Sequence, residues 1–472
     1  MITSASLPAP AETVKDAVKM DVPLHQEKPF SFPIPQWIIV LSMTEHQPEN
    51  APPRILPQLI TLFIFLFHAQ YACAVGIELH AHLFMKQGMT WLFRGHFEDQ
   101  LQARDWGSRL SSQANPQALN QSQLDLIVAT LYAHPLLTRS LHESIKNQIR
   151  ELKSFLKKNP NWVLVKTPAE AKSALHQGKK LILLALEGGS GILESDANLQ
   201  EWIDQEGIRI VTPLHLTDDH WGGVAFLKGF RVLASPWAFL QSLLQPHFES
   251  LEDGSQIRLN KNGLTSHGRT QIQKLLGHHV WIDFTHASDA SQVEIRTLLP
   301  SLNYPLLYTH TVLRRFHHAE RGISEQQLKA VAETRGYLGL IPSEELLEDA
   351  PPLFSDPQCQ GGVFAFAEHY RRVTSILGES FVATGSDYNG GVTHLQPVQG
   401  CTHTQTLLNQ DERGFWEIGQ SRELWKALQE LGMWHPIESP VERDHSHVHA
   451  FLETWERAWK EMDALSLTTA MP

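Results

Sequence analysis

The sequence predicts a (β/α)8 barrel, because short apolar runs alternate with longer amphipathic stretches from residue 75 onward. This alternation is typical of repeated βα units and a parallel sheet. Eight such runs are present, which is the number of strands that closes a barrel of this kind. We predict the strands at 75–80, 124–132, 181–186, 208–214, 279–285, 305–309, 336–341 and 381–386.

Helical periodicity between the apolar runs predicts the outer layer of the barrel. Helices are expected at 138–158 and 325–335, and Thr265 or Ser266 is placed to cap a further helix. Near the C-terminus one more helix is expected to pack on the barrel, because four large apolar side chains share one of its faces: Phe451, Leu452, Trp455 and Trp459.

The first part of the chain has a different character. Residues 1–56 are rich in proline and polar residues and are predicted to be a poorly ordered extension. Residues 57–74 hold an apolar run too short to span a bilayer, followed by Ala-Cys-Ala, which is the pattern of a signal peptide. Such a signal begins unusually late unless translation starts at Met43. We expect an exported barrel domain at 75–465; the alternative is an N-terminal helix packed on a cytoplasmic protein.

Composition limits the partners. The 42% hydrophobic and 19% charged residues are typical of a globular enzyme. A net charge of −12 argues against nucleic acid, because phosphates would be repelled, so a small molecule or peptide fits better. Of the three cysteines, Cys359 and Cys401 are able to form one bridge in an oxidising compartment. The 26 histidines are unusual and direct attention to metal ligands.

Six of the eight predicted strands end on a group that binds metals or substrates. Any one of these histidines is more often structural than functional. Together they would surround the rim where barrel enzymes keep their sites, and strand alternation points the first two to the same side. These rim groups are His80, His82, Glu187, His215, His286, His310 and Asp387.

Four histidines, a glutamate and an aspartate would suit a hydrolytic site with two metal ions. Imidazoles are neutral ligands, one carboxylate is able to bridge, and the other is able to manage a proton. The metals would lower the pKa of a bridging water so that hydroxide forms near neutral pH. Asp387 would then accept the proton.

The segments around these groups, taken in order, resemble the signatures of the membrane (renal-type) dipeptidase family of the amidohydrolase superfamily. The resemblance covers about residues 75 to 460. It rests on six motifs: Ile77-Glu78-Leu79-His80-Ala81-His82, Leu186-Glu187-Gly188-Gly189, Val211-Thr212-Pro213-Leu214-His215, Ile282-Asp283-Phe284-Thr285-His286-Ala287-Ser288, Leu307-Tyr308-Thr309-His310-Thr311 and Gly385-Ser386-Asp387-Tyr388-Asn389-Gly390.

The resemblance implies a dipeptidase with two zinc ions per chain. It places His80 and His82 on one ion and His286 and His310 on the other, with Glu187 bridging them. It also implies that His215 stabilises the tetrahedral intermediate and that Asp387 handles the proton.

By the same resemblance Arg321 would hold the substrate carboxylate, a task that suits a planar guanidinium. Arg314 and Arg315 remain alternatives. Membrane association through the N-terminal segment and a homodimer are both left open.

The chain departs from the family pattern in two places, and both affect what the resemblance implies about the metal site and the substrate. The family normally has His-x-Asp at the first strand, whereas this chain has His80-x-His82, the arrangement of the wider superfamily. The loops at 83–123 and 216–262 also differ from the pattern. Because these loops would shape the pocket, substrate identity is the least constrained part of the expectation.

Two other functions compete with dipeptide hydrolysis. The same barrel and metals would also hydrolyse another amide, an N-acyl amino acid or a lactone. An inactive barrel with a binding role is the third hypothesis. Retention of both Glu187 and Asp387 argues against it, because a silent scaffold has no chemical need for them.

Overall fold

A computed structural model describes residues 76–85, 100, 104, 112–135, 137–398, 401, 414–434 and 447–469. The predicted extension at 1–56 and the apolar segment at 57–74 lie outside the described residues, as does most of the 83–123 connection. Within the described part, no helix is both long enough and apolar enough to cross a membrane.

Eight parallel strands in the described residues form the barrel, and each pairs with the next barrel strand in the chain. β11 (Val382–Thr384) pairs with β1 (Ile77–Ala81), and the remaining seam between β8 (Trp281–Ile282) and β9 (Leu307–Thr311) is bridged where Phe284 N donates to Leu307 O at 2.9 Å. The barrel strands are β1 (Ile77–Ala81), β2 (Leu126–Tyr132), β4 (Lys180–Glu187), β5 (Ile208–Thr212), β8 (Trp281–Ile282), β9 (Leu307–Thr311), β10 (Tyr337–Leu340) and β11 (Val382–Thr384).

The predicted (β/α)8 barrel is therefore confirmed, with every predicted strand in place. Three short strands were not predicted: β3 (Trp162–Leu164), β6 (Phe248–Ser250) and β7 (Gln256–Arg258). β3 adds to the edge of β4 for three residues, too few for a periodicity to show. β6 and β7 form an antiparallel hairpin whose residues are largely exposed, so the pair lacks an apolar run.

Helices cover the outside of the barrel. Those in the described residues are α1 (Pro116–Ser122), α2 (Leu141–Lys158), α3 (Pro168–His176), α4 (Asp196–Leu199), α5 (Pro236–Leu244), α6 (Ser266–Gly277), α7 (Asp289–Leu298), α8 (Arg314–His317), α9 (Glu325–Glu333), α10 (Glu344–Leu347), α11 (Gly362–Leu377), α12 (Ser421–Glu430) and α13 (His447–Thr469). The helices predicted at 138–158 and 325–335 are α2 and α9. Thr265 caps α6 by accepting from Gly268 N at 3.0 Å.

The barrel strands are buried almost throughout, so hydrophobic burial rather than strand pairing alone fixes their register. The C-terminal helix α13 packs against α3 and α6, as its apolar face predicted. Phe451, Leu452 and Trp455 are fully buried there, and Trp459 stacks on His279 with ring centroids 4.5 Å apart. Outside the barrel, Cys359 and Cys401 form a disulfide.

Candidate active site

The sequence-predicted rim groups meet at the carboxyl ends of the strands. His80 lies in β1 and His310 in β9, and Glu187 is the last residue of β4. The other groups follow their strands by a few residues, because the chain turns inward across the barrel mouth. These are His82 after β1, His215 after β5, His286 after β8 and Asp387 after β11.

The carboxylate of Glu187 lies at the centre of the site, and it is only 3% exposed. Nε2 atoms of histidines approach both of its oxygens. The distances from Oε1 are 3.1 Å to His286, 3.4 Å to His310 and 3.7 Å to His80, and those from Oε2 are 3.2 Å to His82 and 3.5 Å to His215.

The imidazoles form two pairs on either side of this carboxylate. Nε2 of His80 is 3.2 Å from Nε2 of His82, and Oδ1 of Asp387 lies 3.2 Å from the His82 nitrogen. On the other side, Nε2 of His286 is 2.9 Å from Nε2 of His310. Glu187 therefore lies between two groups of donors, each able to bind one ion.

Burial keeps most of these imidazoles neutral. It lowers the pKa of His286 to about 3 and of His215 to about 4, and it holds the pKa values of His80 and His310 well below the usual range. Burial also acts to lower the pKa of His82, but hydrogen bonds to Asp387 and Glu187 outweigh it and raise that pKa to about 10. The two carboxylates thus favour a positive charge at Nε2 of His82.

A buried hydrogen-bond network orients two of these histidines, His80 and His310. Asp283 accepts five hydrogen bonds, including one of 2.6 Å from the hydroxyl of Thr309. Because that hydroxyl has one proton and donates it to Asp283, it must accept from Nδ1 of His80 and of His310, each at 3.0 Å. Both rings therefore carry their proton on Nδ1 and present the lone pair of Nε2 to Glu187.

The donor set fits divalent metal ions. Lone pairs of His80 and His310 face Oε1 of Glu187. Three imidazole nitrogens surround this buried oxygen, yet it makes no hydrogen bond of good geometry within the described residues. Electron-rich atoms that face one another in a buried site require a cation between them. Imidazole with carboxylate is a ligand set that suits zinc.

Replacing Thr309 by valine should weaken metal binding, because the isosteric side chain leaves both Nδ1 protons without an acceptor and removes a donor from Asp283. Loss of such a supporting hydrogen bond typically costs 10- to 100-fold in metal affinity. Competition with a chromogenic chelator would measure the change. Thr309→Ser keeps the hydroxyl and is the matched control. Equal metal retention in wild type and the valine variant would show that Thr309 does not select the tautomers.

Strained backbone occurs at the same rim. His286 and Asp387 have φ values of 70° and 57°, in the left-handed region that side chains other than glycine rarely adopt. Such conformations cluster at functional sites, where the surrounding structure enforces them. Asp387 N donates to His80 O at 2.8 Å. A Cβ at Gly390 would overlap the Asp387 carboxylate, so the turn from Asp387 to Gly390 requires glycine at its last position.

Of the three candidate arginines, Arg321 is the one that lines the cavity; Arg231 lines it as well, but pairs with Glu345. Arg321 is 5% exposed; Nη2 donates to His310 O at 2.9 Å, and the buried Nη1 has no hydrogen-bond partner among the described residues. The two alternative arginines are engaged elsewhere. Arg314 forms ion pairs with Asp289 and Glu249, both at 2.6 Å, and Arg315 pairs with Glu325.

A cavity of about 330 Å³ opens over these groups, within the size range of small-molecule sites. Its walls combine the polar rim with an apolar side formed by Leu137, Leu216, Leu227, Ile341, Leu346 and Val392.

Sequence reasoning missed several contributors to this site. Tyr132, the last residue of β2, lines the cavity and packs edge-on against His215 at 4.8 Å, and His134 follows it. Both were detectable, because they end a correctly predicted strand at the rim. Asp283 and Thr309 lie within two of the six motifs, but the sequence did not indicate their roles. Their hydrogen-bond partners come from other strands.

His82, which stands where the family pattern has aspartate, has a different environment from the other histidines of the site. Nε2 of His82 faces both carboxylates, whereas its buried Nδ1 has no hydrogen-bond partner in the part of the chain that the structure describes. His80 and His310 differ in this respect, since Thr309 accepts from their Nδ1 atoms. No hydrogen bond at Nδ1 therefore holds the proton of His82 away from Nε2, the nitrogen that faces the two carboxylates.

A (β/α)8 barrel whose mouth holds histidines and carboxylates in this arrangement defines the class of barrel metallohydrolases. Within that class, the chain belongs to the membrane dipeptidase family, peptidase family M19, whose family model matches residues 76–427.

Curated relatives are distant. Dipeptidase 3 of Rattus norvegicus is 22% identical over 240 residues, a match that covers 50% of this chain and 41% of the rat protein. Dipeptidase 3 of Homo sapiens is 23% identical over 36% of this chain and 30% of the human protein. The matched part of the chain thus spans less than half the length of these relatives.

Solved structures share the fold. The probable dipeptidase PvdM from Pseudomonas aeruginosa has a TM-score of 0.58 at 13% identity, covering 86% of this chain and 100% of that chain. A metallopeptidase from Rhodobacter sphaeroides, liganded with a phosphinate mimic of the dipeptide L-Ala-D-Ala, has a TM-score of 0.52 at 17% identity, covering 74% and 91% of the two chains.

Proposed function

We propose that this protein hydrolyses dipeptides with the help of two zinc ions per chain. The observation that carries the proposal is the convergence of five imidazoles on Glu187 in a cavity that also holds the unpartnered Nη1 of Arg321. Family membership supports a peptidase. The dipeptide mimic bound to the Rhodobacter sphaeroides relative supports a small peptide as substrate.

The ligand assignment follows the two imidazole pairs. His80 and His82 would hold one ion and His286 and His310 the other, with the carboxylate of Glu187 available to both. When bound, the ions would polarise the scissile carbonyl and make hydroxide available near neutral pH.

The remaining groups handle substrate and protons. Arg321 would bind the C-terminal carboxylate of the dipeptide through Nη1, since a guanidinium matches a carboxylate in geometry and charge. His215, neutral and next to Oε2 of Glu187, would donate to the oxygen of the tetrahedral intermediate. Oδ1 of Asp387 would accept the proton of the attacking water and return it to the leaving amine.

Arg321→Ala provides the test of substrate class. The variant should raise KM for dipeptides with a free C-terminus by about 10- to 100-fold, because a hydrogen-bonded charge is lost from the bound state. Amidated analogues should be affected little. Metal content should be measured in parallel, since Arg321 also donates to His310 O.

Arg315→Ala is the matched control, because Arg315 lies in the same segment and pairs with Glu325 rather than lining the cavity. Equal losses on free and amidated dipeptides would show that Arg321 does not hold the carboxylate. Turnover of N-acyl amino acids or lactones in preference to every dipeptide would contradict the proposed substrate.

Export forms part of the proposal. The Cys359–Cys401 disulfide supports it, because such bonds persist in oxidising compartments. Membrane association through residues 57–74 and formation of a homodimer stay predictions.

A further inference from the structure

A second group of metal-ligating side chains lies outside the cavity. It consists of Glu194, His220 and His267, which we call the outer cluster. Nε2 of His220 is 2.9 Å from Oε1 of Glu194, and Nε2 of His267 is 2.8 Å from Oε2. One ligand atom from each residue lies within 4.8 Å of the other two. Among the described residues that line the cavity, none belongs to this cluster.

We propose that the outer cluster binds a divalent transition-metal ion, with zinc as the best match. Two imidazole nitrogens and one carboxylate oxygen form a recognised ligand set for zinc, and water would complete the coordination. The three side chains are 30%, 56% and 41% exposed for Glu194, His220 and His267, so an ion and its water have access from solvent.

The hydrogen bonds around the cluster prepare it for an ion. Oε1 of Glu194 accepts from Gly191 N at 2.6 Å and from Trp221 Nε1 at 3.1 Å, which fixes the carboxylate and leaves Oε2 as the ligand atom. Ser190 Oγ lies 3.1 Å from Nδ1 of His220. A hydroxyl that accepts from Nδ1 selects the tautomer whose Nε2 lone pair is available to a metal.

The spacing requires little rearrangement. A tetrahedral zinc ion with bonds of 2.0 to 2.1 Å holds neighbouring ligand atoms about 3.3 Å apart. The imidazole rings of His220 and His267 are stacked, with centroids 5.3 Å apart and planes 29° apart, so both nitrogens already point at the same carboxylate. The two nitrogen-to-oxygen distances, 2.9 and 2.8 Å, would each lengthen by about 0.5 Å to match that geometry.

Metal binding here would join three separate segments. Glu194 lies in the connection after β4, His220 in the connection after His215, and His267 in the first turn of α6. A hydrogen bond of 2.6 Å from Thr265 Oγ1 to His220 O already ties two of them. Trp221 packs so closely on Gly189 that a Cβ there would overlap its ring. An ion in the outer cluster would therefore stiffen the segments that follow Glu187 and His215.

Zinc binding would be measured by dialysing the folded protein against micromolar free Zn²⁺ at neutral pH and counting zinc per chain by elemental mass spectrometry. Wild type should hold one zinc more per chain than His220→Gln or His267→Gln. Both variants should also lose the rise in Tm that zinc gives the wild type. Ser190→Ala should weaken this site by about tenfold, because it loses only the supporting hydrogen bond.

His278→Gln is the matched control. His278 lies at the end of α6 and pairs with Asp204 at 3.0 Å, but no third ligand is grouped with that pair in the described residues. Its zinc content should equal that of wild type. Equal zinc content in wild type, His220→Gln and His267→Gln would overturn the proposal, whatever the peptidase activity shows.

Discussion

Replacing Asp387 by asparagine should lower turnover by about 10²- to 10⁴-fold, the usual contribution of a positioned acid–base group. Asparagine has the same shape but accepts no proton at the position of Oδ1. Fold and metal content should stay near wild type, because the four proposed histidine ligands and Glu187 remain. The carboxyl group is set apart from ordinary aspartates, since burial raises its pKa while the hydrogen bond to His82 opposes the rise.

The control is Asp204→Asn, an aspartate that also pairs with a histidine but is 44% exposed on the outside of the barrel. That variant should retain full turnover. Steady-state kinetics and metal analysis on the same preparations would separate a proton-transfer defect from metal loss. Turnover of Asp387→Asn within twofold of wild type would remove Asp387 from the proposed mechanism.

The second large effect is expected for Glu187→Gln, which should release metal and abolish detectable peptidase activity. Both oxygens of Glu187 are approached by imidazole nitrogens, so the neutral amide would remove the charge from the centre of the site and place an NH₂ donor against one ion. Binding of a cation beside a donor group without negative charge is strongly disfavoured.

Glu345→Gln is the matched variant, because Glu345 lines the same cavity but pairs with Arg231 instead of the histidines. It should keep its metal. Metal content would be counted by elemental mass spectrometry after gel filtration, with circular dichroism to verify folding. A folded Glu187→Gln protein that retains as many ions as wild type would show that Glu187 is not needed to hold the ions of the cavity.

The fold was predictable because the barrel strands are buried on both faces and therefore appear as continuous apolar runs. β4 shows this directly, since its residues from Leu181 to Glu187 are all buried. The β6–β7 hairpin was missed for the opposite reason. Its exposed residues, such as Phe248 and Gln256, alternate without an apolar face.

The rim groups were predictable because each lies at the end of a strand or within a few residues after it, and strand ends meet at one face of a barrel. The network that orients them was not. Thr309 contacts Nδ1 of His80, which lies 229 residues away in the chain, and the carboxylate of Asp283, which lies 26 residues away. Only the closed barrel brings these strands together, so no local pattern identifies Thr309 as the acceptor that selects both tautomers.

The most direct test of the central claim is a metal titration of the His267→Gln protein. This variant lacks the outer cluster, so the zinc ions that it binds are those of the cavity. Chelation should abolish dipeptide hydrolysis, and zinc should restore it in step with occupancy up to two ions per chain. The proposed function would be contradicted if dipeptide hydrolysis returned fully without added zinc, or if protein shown to contain no metal hydrolysed dipeptides.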